Sequence, residues 1–80
     1  MEKNLYTQRQ RQLQELLREM RQEAGLTQEE VAARLERPQS FVSKYESGER
    51  RLDILELLDV CQVLGISLRK FVDALEKRLE

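Results

Sequence analysis

The residues best suited to chemistry lie between positions 37 and 51, in the segment RPQSFVSKYESGERR. Read as a helix, this segment places Phe41, Val42 and Tyr45 on one side. Arg50 and Arg51 follow after a glycine. The rest of the helical surface carries amide, hydroxyl and ammonium groups, from Gln39, Ser40, Ser43 and Lys44. Such groups donate and accept hydrogen bonds, so the pattern predicts recognition of a polar partner.

Residues for catalysis or metal binding are scarce in this sequence. It contains no histidine and one cysteine, Cys61, which excludes an internal disulfide and agrees with a reducing compartment. No nucleophile stands beside a base, there is no glycine-rich phosphate loop, and the acidic residues fall on solvated helix faces. We therefore expect no enzyme, no metal site and no cofactor.

Length and composition indicate one small helical domain. Eighty residues, 40% hydrophobic and 36% charged with few aromatics, are typical of short amphipathic helices around a modest core. No apolar run approaches the roughly 18 residues of a membrane span. The N-terminal sequence MEKNLYTQRQRQ lacks the apolar core of a signal peptide, so we expect a cytoplasmic protein.

The distribution of charge is more informative than its sum. The net charge is −1 and the pI is near 5.6, which gives no overall preference for nucleic acid. Residues 37–51, however, carry four basic side chains against two acidic ones, whereas residues 24–36 and 52–80 are each net acidic. The positive segment is the one with the polar helix, although a charge run is often only a solvated surface.

The first two helices are marked by periodicity and by capping residues. A first helix is predicted from near Thr7, or a few residues later, to Ala24 and Gly25, where glycine can take the left-handed cap. The segment Thr27-Gln28-Glu29-Glu30 is a capping box that begins the second helix. The apolar stripes are Leu13, Leu16, Leu17 and Met20, followed by Val31, Ala32 and Leu35.

Three more helices follow. Arg37 precedes a proline and is therefore disfavoured in the α region, whereas Pro38 suits the start of a third helix that runs to about Ser47. A fourth helix starts at the capping box of Asp53 and Glu56, and a fifth starts at Ser67. The predicted apolar sides are Leu55, Leu58, Val60, Cys61 and Leu64 for the fourth helix, and Leu68, Phe71, Val72, Leu75 and Leu79 for the fifth. The predicted fold class is all-α, a compact five-helix domain spanning residues 1–80, with residues 1–10 partly flexible.

The second and third helices are short and separated by a tight turn. Two such helices can cross steeply only if the contact residue is small, which explains Ala32, while Val31, Leu35, Val42 and Tyr45 would close the core beneath. This arrangement is a helix-turn-helix, in which the second helix of the pair lies in the DNA major groove.

The sequence resembles the lambda-repressor/Cro type of DNA-binding domain, also called the xenobiotic-response-element (XRE) type of bacterial regulator. The resemblance covers residues from about 11 to 75 and rests on REMRQEAGLTQEEVAARL, RPQSFVSKYESGERR and LDVCQVLGIS. It implies base contacts from Gln39, Ser40, Ser43 and Lys44. It also implies phosphate contacts from Thr27, Gln28, Arg50 and Arg51, with Gln28 bracing Gln39.

Several of these roles have structural alternatives. Gln28 could be only an N-terminal helix residue, and Ser40 and Ser43 could cap the helix or touch phosphate. Phe41 could contact a thymine methyl, although packing at the edge of the core is the interpretation we favour. Cys61 is expected to fill the core.

The resemblance also implies two structural features. Glu46 is expected to pair with Arg21 of the first helix and so orient the recognition helix. Glu36 stands where many relatives have glycine, so we expect a positive φ there at a cost of roughly 1 kcal/mol.

The predicted working unit is a homodimer formed through residues 67–80. The apolar stripe of the last helix is longer than a domain of this size needs for its own core. We therefore expect Leu75 and Leu79 to be covered by a second chain. Leu5 and Tyr6 are a weaker expectation for the same interface.

The function implied is a sequence-specific transcriptional regulator of double-stranded DNA, a repressor on a palindromic operator, associated with the nucleoid when bound. An antitoxin or a restriction-system controller of the same fold remains an alternative, and so does a protein-interaction module that has lost DNA binding. A toxin or another regulator is a possible protein partner. A pure interaction module would not need Gln28, Gln39, Lys44, Arg50 and Arg51.

Overall fold

A computed structural model describes the backbone of residues 5–80 and the side chains of residues 7–80. Over that range the chain is all-α, as predicted, and without strands. The five helices are α1 (Leu5–Glu23), α2 (Gln28–Leu35), α3 (Gln39–Ser47), α4 (Ile54–Leu64) and α5 (Leu68–Leu79). None of these helices is long and apolar enough to cross a membrane. The side chains expected as a weak dimer contact at the N-terminus, Leu5 and Tyr6, lie outside the described residues.

The helix starts follow the predicted local signals, with small shifts. Thr27 and Asp53 both form complete capping boxes, with Glu30 and Glu56 respectively. Helix α1 already includes Leu5, two residues before the predicted start at Thr7. Pro38 is the N-cap of α3, in an extended conformation with φ −62° and ψ 153°, so the first helical residue is Gln39 rather than the proline.

A residue with positive φ follows each of the first four helices: Gly25, Glu36, Gly48 and Gly65. Glu36 has φ 58° and ψ 44° and is the one non-glycine residue with positive φ in the described part of the chain. The predicted strained turn is therefore present. Its backbone N–H donates to carbonyl oxygens of Ala32 and Ala33, which closes the end of α2 and turns the chain towards α3.

The core lies between α1, the α2–α3 pair, and the two C-terminal helices. Helix α3 packs against α1 and α2, while α5 packs against α1 and α4. Cys61 is fully buried, as expected, and its burial raises the pKa of the thiol. The other buried apolar side chains are Leu16, Leu17, Val31, Ala32, Phe41, Val42, Tyr45, Val60, Leu64 and Phe71.

Two predicted apolar stripes were partly wrong. On α4 the side chain of Leu55 is 69% exposed, because Leu57, not Leu55, continues the stripe of Val60, Cys61 and Leu64. On α5, Val72 is exposed rather than inward, whereas Leu75, expected to be left over, packs against the core. Each helix carries more apolar residues than one stripe can hold, so the angle of packing decides which of them are covered.

The C-terminal end of α5 is fastened to α1 by a single arginine. Arg78 donates hydrogen bonds to Gln12, Glu15 and Glu19, at 2.7–3.1 Å. The bonds to Glu19 and Glu15 raise the pKa of Arg78, and the bond from Arg78 lowers the pKa of the Glu19 carboxyl. The last turn of α5 is thereby held against the first helix, with Leu79 half-buried beside it.

Candidate nucleic-acid interface

The α2–α3 pair has the two-sided character of a helix-turn-helix. Val31 and Ala32 of α2 are buried against α3, whose own Val42 and Tyr45 are also buried. A small side chain at Ala32 lets the two helices approach closely, because a larger one would separate their axes. The buried side of α3 is thus fully anchored, which holds its opposite side in one orientation.

The opposite side of α3 is polar and open to solvent. Gln39, Ser40 and Lys44 are exposed, and Ser43 is half-buried. The hydroxyl of Ser43 donates to the carbonyl oxygen of Ser40 at 3.2 Å, so in the free protein it satisfies the backbone. The four residues expected to read bases therefore share one surface, which we call the polar face.

One edge of the polar face is bordered by a buried carboxylate. Glu46 is 2% exposed and accepts two hydrogen bonds from Arg21, from Nε at 2.7 Å and from Nη2 at 3.1 Å. Arg21 also donates to the carbonyl oxygen of Leu26 at 3.0 Å. The bond to Glu46 is the main cause of a raised pKa at Arg21. The ion pair that the resemblance implied is thus present and ties α1 to the end of α3.

Gln28 belongs to the same network. Its side-chain Nε2 donates to Oε1 of Glu46 at 3.0 Å. The expected brace from Gln28 to Gln39 is therefore replaced by a bond to the buried carboxylate, because a charged acceptor binds an amide N–H more strongly than a neutral one does. The bond holds the amide at the start of α2, next to the polar face.

The other edge of the polar face is built around Phe41. Its ring is 7% exposed and makes an edge-to-face contact with Tyr45, with centroids 5.5 Å apart. The guanidinium carbons of Arg37 and Arg50 lie 4.3 Å and 4.7 Å from the ring centroid, within cation–π range. Lys44, one helical turn from Phe41, borders this edge. Phe41 thus packs at the edge of the core, as we favoured, and supports two arginines.

A carboxylate of α4 connects these two arginines. Arg50 binds Glu56 through two parallel bonds, Nη1 to Oε1 at 2.9 Å and Nη2 to Oε2 at 2.7 Å. Arg37 reaches Oε2 of Glu56 at 3.4 Å. The Arg50 bonds and the capping bond from the Asp53 backbone lower the pKa of Glu56 to about 2. The carboxylate therefore stays ionised at every physiological pH.

The residues expected to contact phosphate are differently placed. Arg50 is committed to Glu56 and to the carbonyl oxygen of Arg51, so it has few donors left for a phosphate. The hydroxyl of Thr27 accepts the capping bond from the backbone N–H of Glu30 at 3.1 Å. Arg51 is exposed in the α3–α4 loop.

Sequence reasoning missed Arg37 and Glu56 as parts of this surface. Glu56 was assigned only to a capping box, and Arg37 only to the turn before Pro38. The available signal was an aromatic residue at the border of a polar helix, with arginines both before and after it in the sequence. Which carboxylate would join them depends on how α4 packs, and that is not a local property.

Comparisons with known proteins agree with this geometry. A family model described as helix-turn-helix matches residues 17–71. A solved structure, an XRE-family like protein from Pseudomonas syringae pv. tomato str. DC3000, superposes with a TM-score of 0.84 at 49% identity. That match covers 90% of this chain and 88% of the other.

One curated relative is the uncharacterized HTH-type transcriptional regulator y4dJ of Sinorhizobium fredii (strain NBRC 101917 / NGR234). It is 44% identical over 48 residues, which cover 60% of this chain and 62% of the relative. The match thus spans less than two thirds of that protein. The family model and the solved structure together show that the chain belongs to the XRE-like helix-turn-helix family.

Proposed function

We propose that the chain binds double-stranded DNA in a sequence-specific manner and regulates transcription, with α3 lying in the major groove. The observation that carries this proposal is the two-sided α3. Its apolar side is buried, while Gln39, Ser40 and Lys44 project together into solvent. A major groove admits one α-helix, and its base edges present the donors and acceptors that these side chains can pair with.

The chemistry of the polar face supports discrimination between bases. An amide such as Gln39 can bond adenine through both N6 and N7, and a lysine such as Lys44 favours O6 and N7 of guanine. Serine hydroxyls are permissive and can serve either base. The Ser43 hydroxyl would have to exchange its bond to the Ser40 carbonyl for a base contact.

Contacts to phosphate would position this helix. Gln28 lies at the start of α2 and Arg51 in the α3–α4 loop, and Thr27 lies at the same helix start as Gln28. Contacts of this kind fix orientation without reading sequence. The name of the curated relative, an HTH-type transcriptional regulator, points to the same role.

The working unit in this proposal is a homodimer that represses transcription from a palindromic site. One helix-turn-helix contacts only a few base pairs, too few to select a site in a genome, whereas two copies about 34 Å apart double the readout. In this proposal the contact uses the exposed Val72 and the half-buried Leu79, two turns apart on α5, rather than Leu75, which packs against the core.

Three alternatives can be compared by the use that each would make of the polar face. An antitoxin or a restriction-system controller would use it in the same way, and the neighbouring genes would distinguish these roles from a phage-like repressor. A protein-interaction module would not require base-reading side chains. The exposed Gln39, Ser40 and Lys44 together favour DNA over a module of that kind.

Selection from a pool of randomised duplexes tests the proposal. We expect wild-type protein to enrich one motif with two inverted halves, because two recognition helices would read the same half-site in opposite directions. A Gln39→Ala, Lys44→Ala double variant should enrich a degraded motif. A wild type that binds no duplex at any moderate salt concentration would instead favour the interaction module.

A further inference from the structure

Resting on the proposed DNA binding, we propose that Arg37 is a phosphodiester-binding residue, and that Arg50 and Glu56 are the support that presents it. The chemical class of the ligand is the phosphate backbone of duplex DNA. The site lies beside Lys44, at the edge of the polar face opposite Glu46 and Gln28.

Arg37 is the more weakly bound of the two arginines in this cluster. Both guanidinium groups reach the carboxylate of Glu56, and Arg50 binds it through two short parallel bonds. Arg37 shares the same carboxylate only through one bond of 3.4 Å. Glu56 therefore compensates the charge of Arg50 more closely than that of Arg37, which stays more available to a ligand.

The donors of the two arginines are used very differently. Both Nη atoms of Arg50 bond to Glu56, and Nη1 also donates to the Arg51 carbonyl. Arg37 bonds Glu56 through Nη2 alone, and its side chain is 43% exposed. A phosphate oxygen needs N–H donors that are not already bonded, and a guanidinium can present two of them in parallel. Arg37 has those donors, and Arg50 has few.

The orientation of Arg37 is set before any ligand arrives. Its guanidinium carbon lies 4.3 Å from the centroid of the buried Phe41 ring, which itself is held by Tyr45. The backbone is also restrained, because Arg37 follows the left-handed Glu36 and precedes Pro38. Stacking on a fixed ring reduces the side-chain entropy lost on binding, so the contact is pre-organised.

The salt dependence of binding to two short duplexes, one carrying the selected site and one of unrelated sequence, tests this assignment. Between about 50 and 200 mM salt, Arg37→Gln should reduce the slope of log K against log[salt] by about one unit per bound protomer on both duplexes. Arg37→Lys should restore the slope, because it keeps the charge. Lys77→Gln, which removes a charge on the exposed surface of α5, should leave it unchanged.

The double variant Arg50→Gln, Glu56→Gln distinguishes the role of Arg37 from that of Arg50. It removes the supporting pair with no change of net charge, and glutamine at position 56 can still complete the α4 capping box. The wild-type slope should persist in this variant, at some loss of affinity. A slope that falls by a unit there, or that stays unchanged in Arg37→Gln, would overturn the assignment. Failure of wild type to bind either duplex would instead refute the proposed function itself.

Discussion

At the scale of single residues, Glu46 is the point where three helices meet. Its carboxylate is nearly inaccessible to solvent, and it binds Arg21 of α1 and Gln28 of α2 from its position on α3. A buried carboxylate is tolerated only when its bonds are satisfied. The network therefore sets the orientation of α3 more than it adds net stability.

Breaking this pair on one side should be far costlier than removing both partners. Arg21→Met leaves Glu46 buried without its main partner, so we expect a loss of roughly 3–5 kcal/mol in the free energy of unfolding. Adding Glu46→Leu in the same chain should recover most of that loss, since an apolar pair needs no compensation. Urea unfolding of the wild type, both single variants and the double variant measures the coupling. Additive effects of the two substitutions would refute it.

The Arg50–Glu56 pair predicts a pH-dependent contribution to stability. The pKa of Glu56 is lowered from its ordinary value near 4.5 to about 2, chiefly by Arg50. A carboxyl group whose pKa is lower in the folded than in the unfolded protein stabilises the fold at any pH above its unfolded pKa. This contribution disappears as the pH falls towards 2. The difference in unfolding free energy between wild type and Glu56→Gln should therefore shrink between about pH 5 and pH 2.

The control for this effect removes its cause. In an Arg50→Gln background, the substitution Glu56→Gln should have a much weaker pH dependence, because the principal hydrogen-bond donor is gone. Chemical unfolding at a series of pH values provides the comparison. An equal pH dependence in both backgrounds would show that Arg50 does not perturb Glu56.

At the scale of elements, the turn between α2 and α3 determines how α3 leaves the end of α2. Glu36 holds this turn in the left-handed region, where a Cβ is unfavourable. Glu36→Gly should therefore raise the free energy of unfolding by at most about 0.5 kcal/mol, because the relief of roughly 1 kcal/mol of strain is offset by the greater entropy of unfolded glycine, worth roughly 0.5–1 kcal/mol. Glu36→Val should lower it. The denaturation midpoints of the wild type and the two variants measure these changes. A glycine variant less stable than the wild type would contradict the account.

Elements with local signals were predictable from the sequence. The capping boxes at Thr27 and Asp53 each involve residues three apart, so they do not depend on distant contacts. The covered faces of α4 and α5 were less predictable, because Leu55 and Val72 also fit helical spacing. Their exposure follows from packing angles that only the assembled domain determines.

The candidate site divides in the same way. The polar face could be predicted, because it follows from helical periodicity within nine residues of one helix. The partners of Arg50 could not, since Glu56 approaches from α4 across a loop. In sequence, a loop arginine that will bind a DNA phosphate cannot be told apart from a loop arginine that binds a carboxylate of its own chain.

At the scale of the whole molecule, the proposed function requires a pair of copies on one face of DNA. The chain measures 37 × 26 × 22 Å, and the homodimer we propose would place its two α3 helices about 34 Å apart. Arg78 fastens α5 to α1, which makes α5 a rigid surface for such a contact.

Dimerisation through α5 can be tested without disturbing the core. Sedimentation equilibrium of wild type should show a dimer at micromolar concentration. The Val72→Glu, Leu79→Glu double variant should be mainly monomeric, because two charges would be buried in the contact. Leu75 is left intact, since it packs inward. The matched control is Ile54→Glu, Leu55→Glu, which alters the most exposed apolar residues of α4.

The outcome of this comparison assigns the interface. Loss of dimer in the α5 variant alone supports the contact proposed here. Loss in the α4 variant alone would move the interface to the start of α4, and a monomeric wild type would refute the dimer.

The most direct test of the central claim, that the polar face reads base sequence, is Lys44→Ala measured against every single-base-pair substitution of the selected site. Lys44 is exposed at the middle of α3, so its removal should cost about 1–3 kcal/mol of binding and abolish discrimination at one or two base pairs only. Arg51→Ala, the comparison for a backbone contact, should weaken every duplex alike. An equally uniform loss in Lys44→Ala, with the wild-type preference intact at every position, would contradict the account.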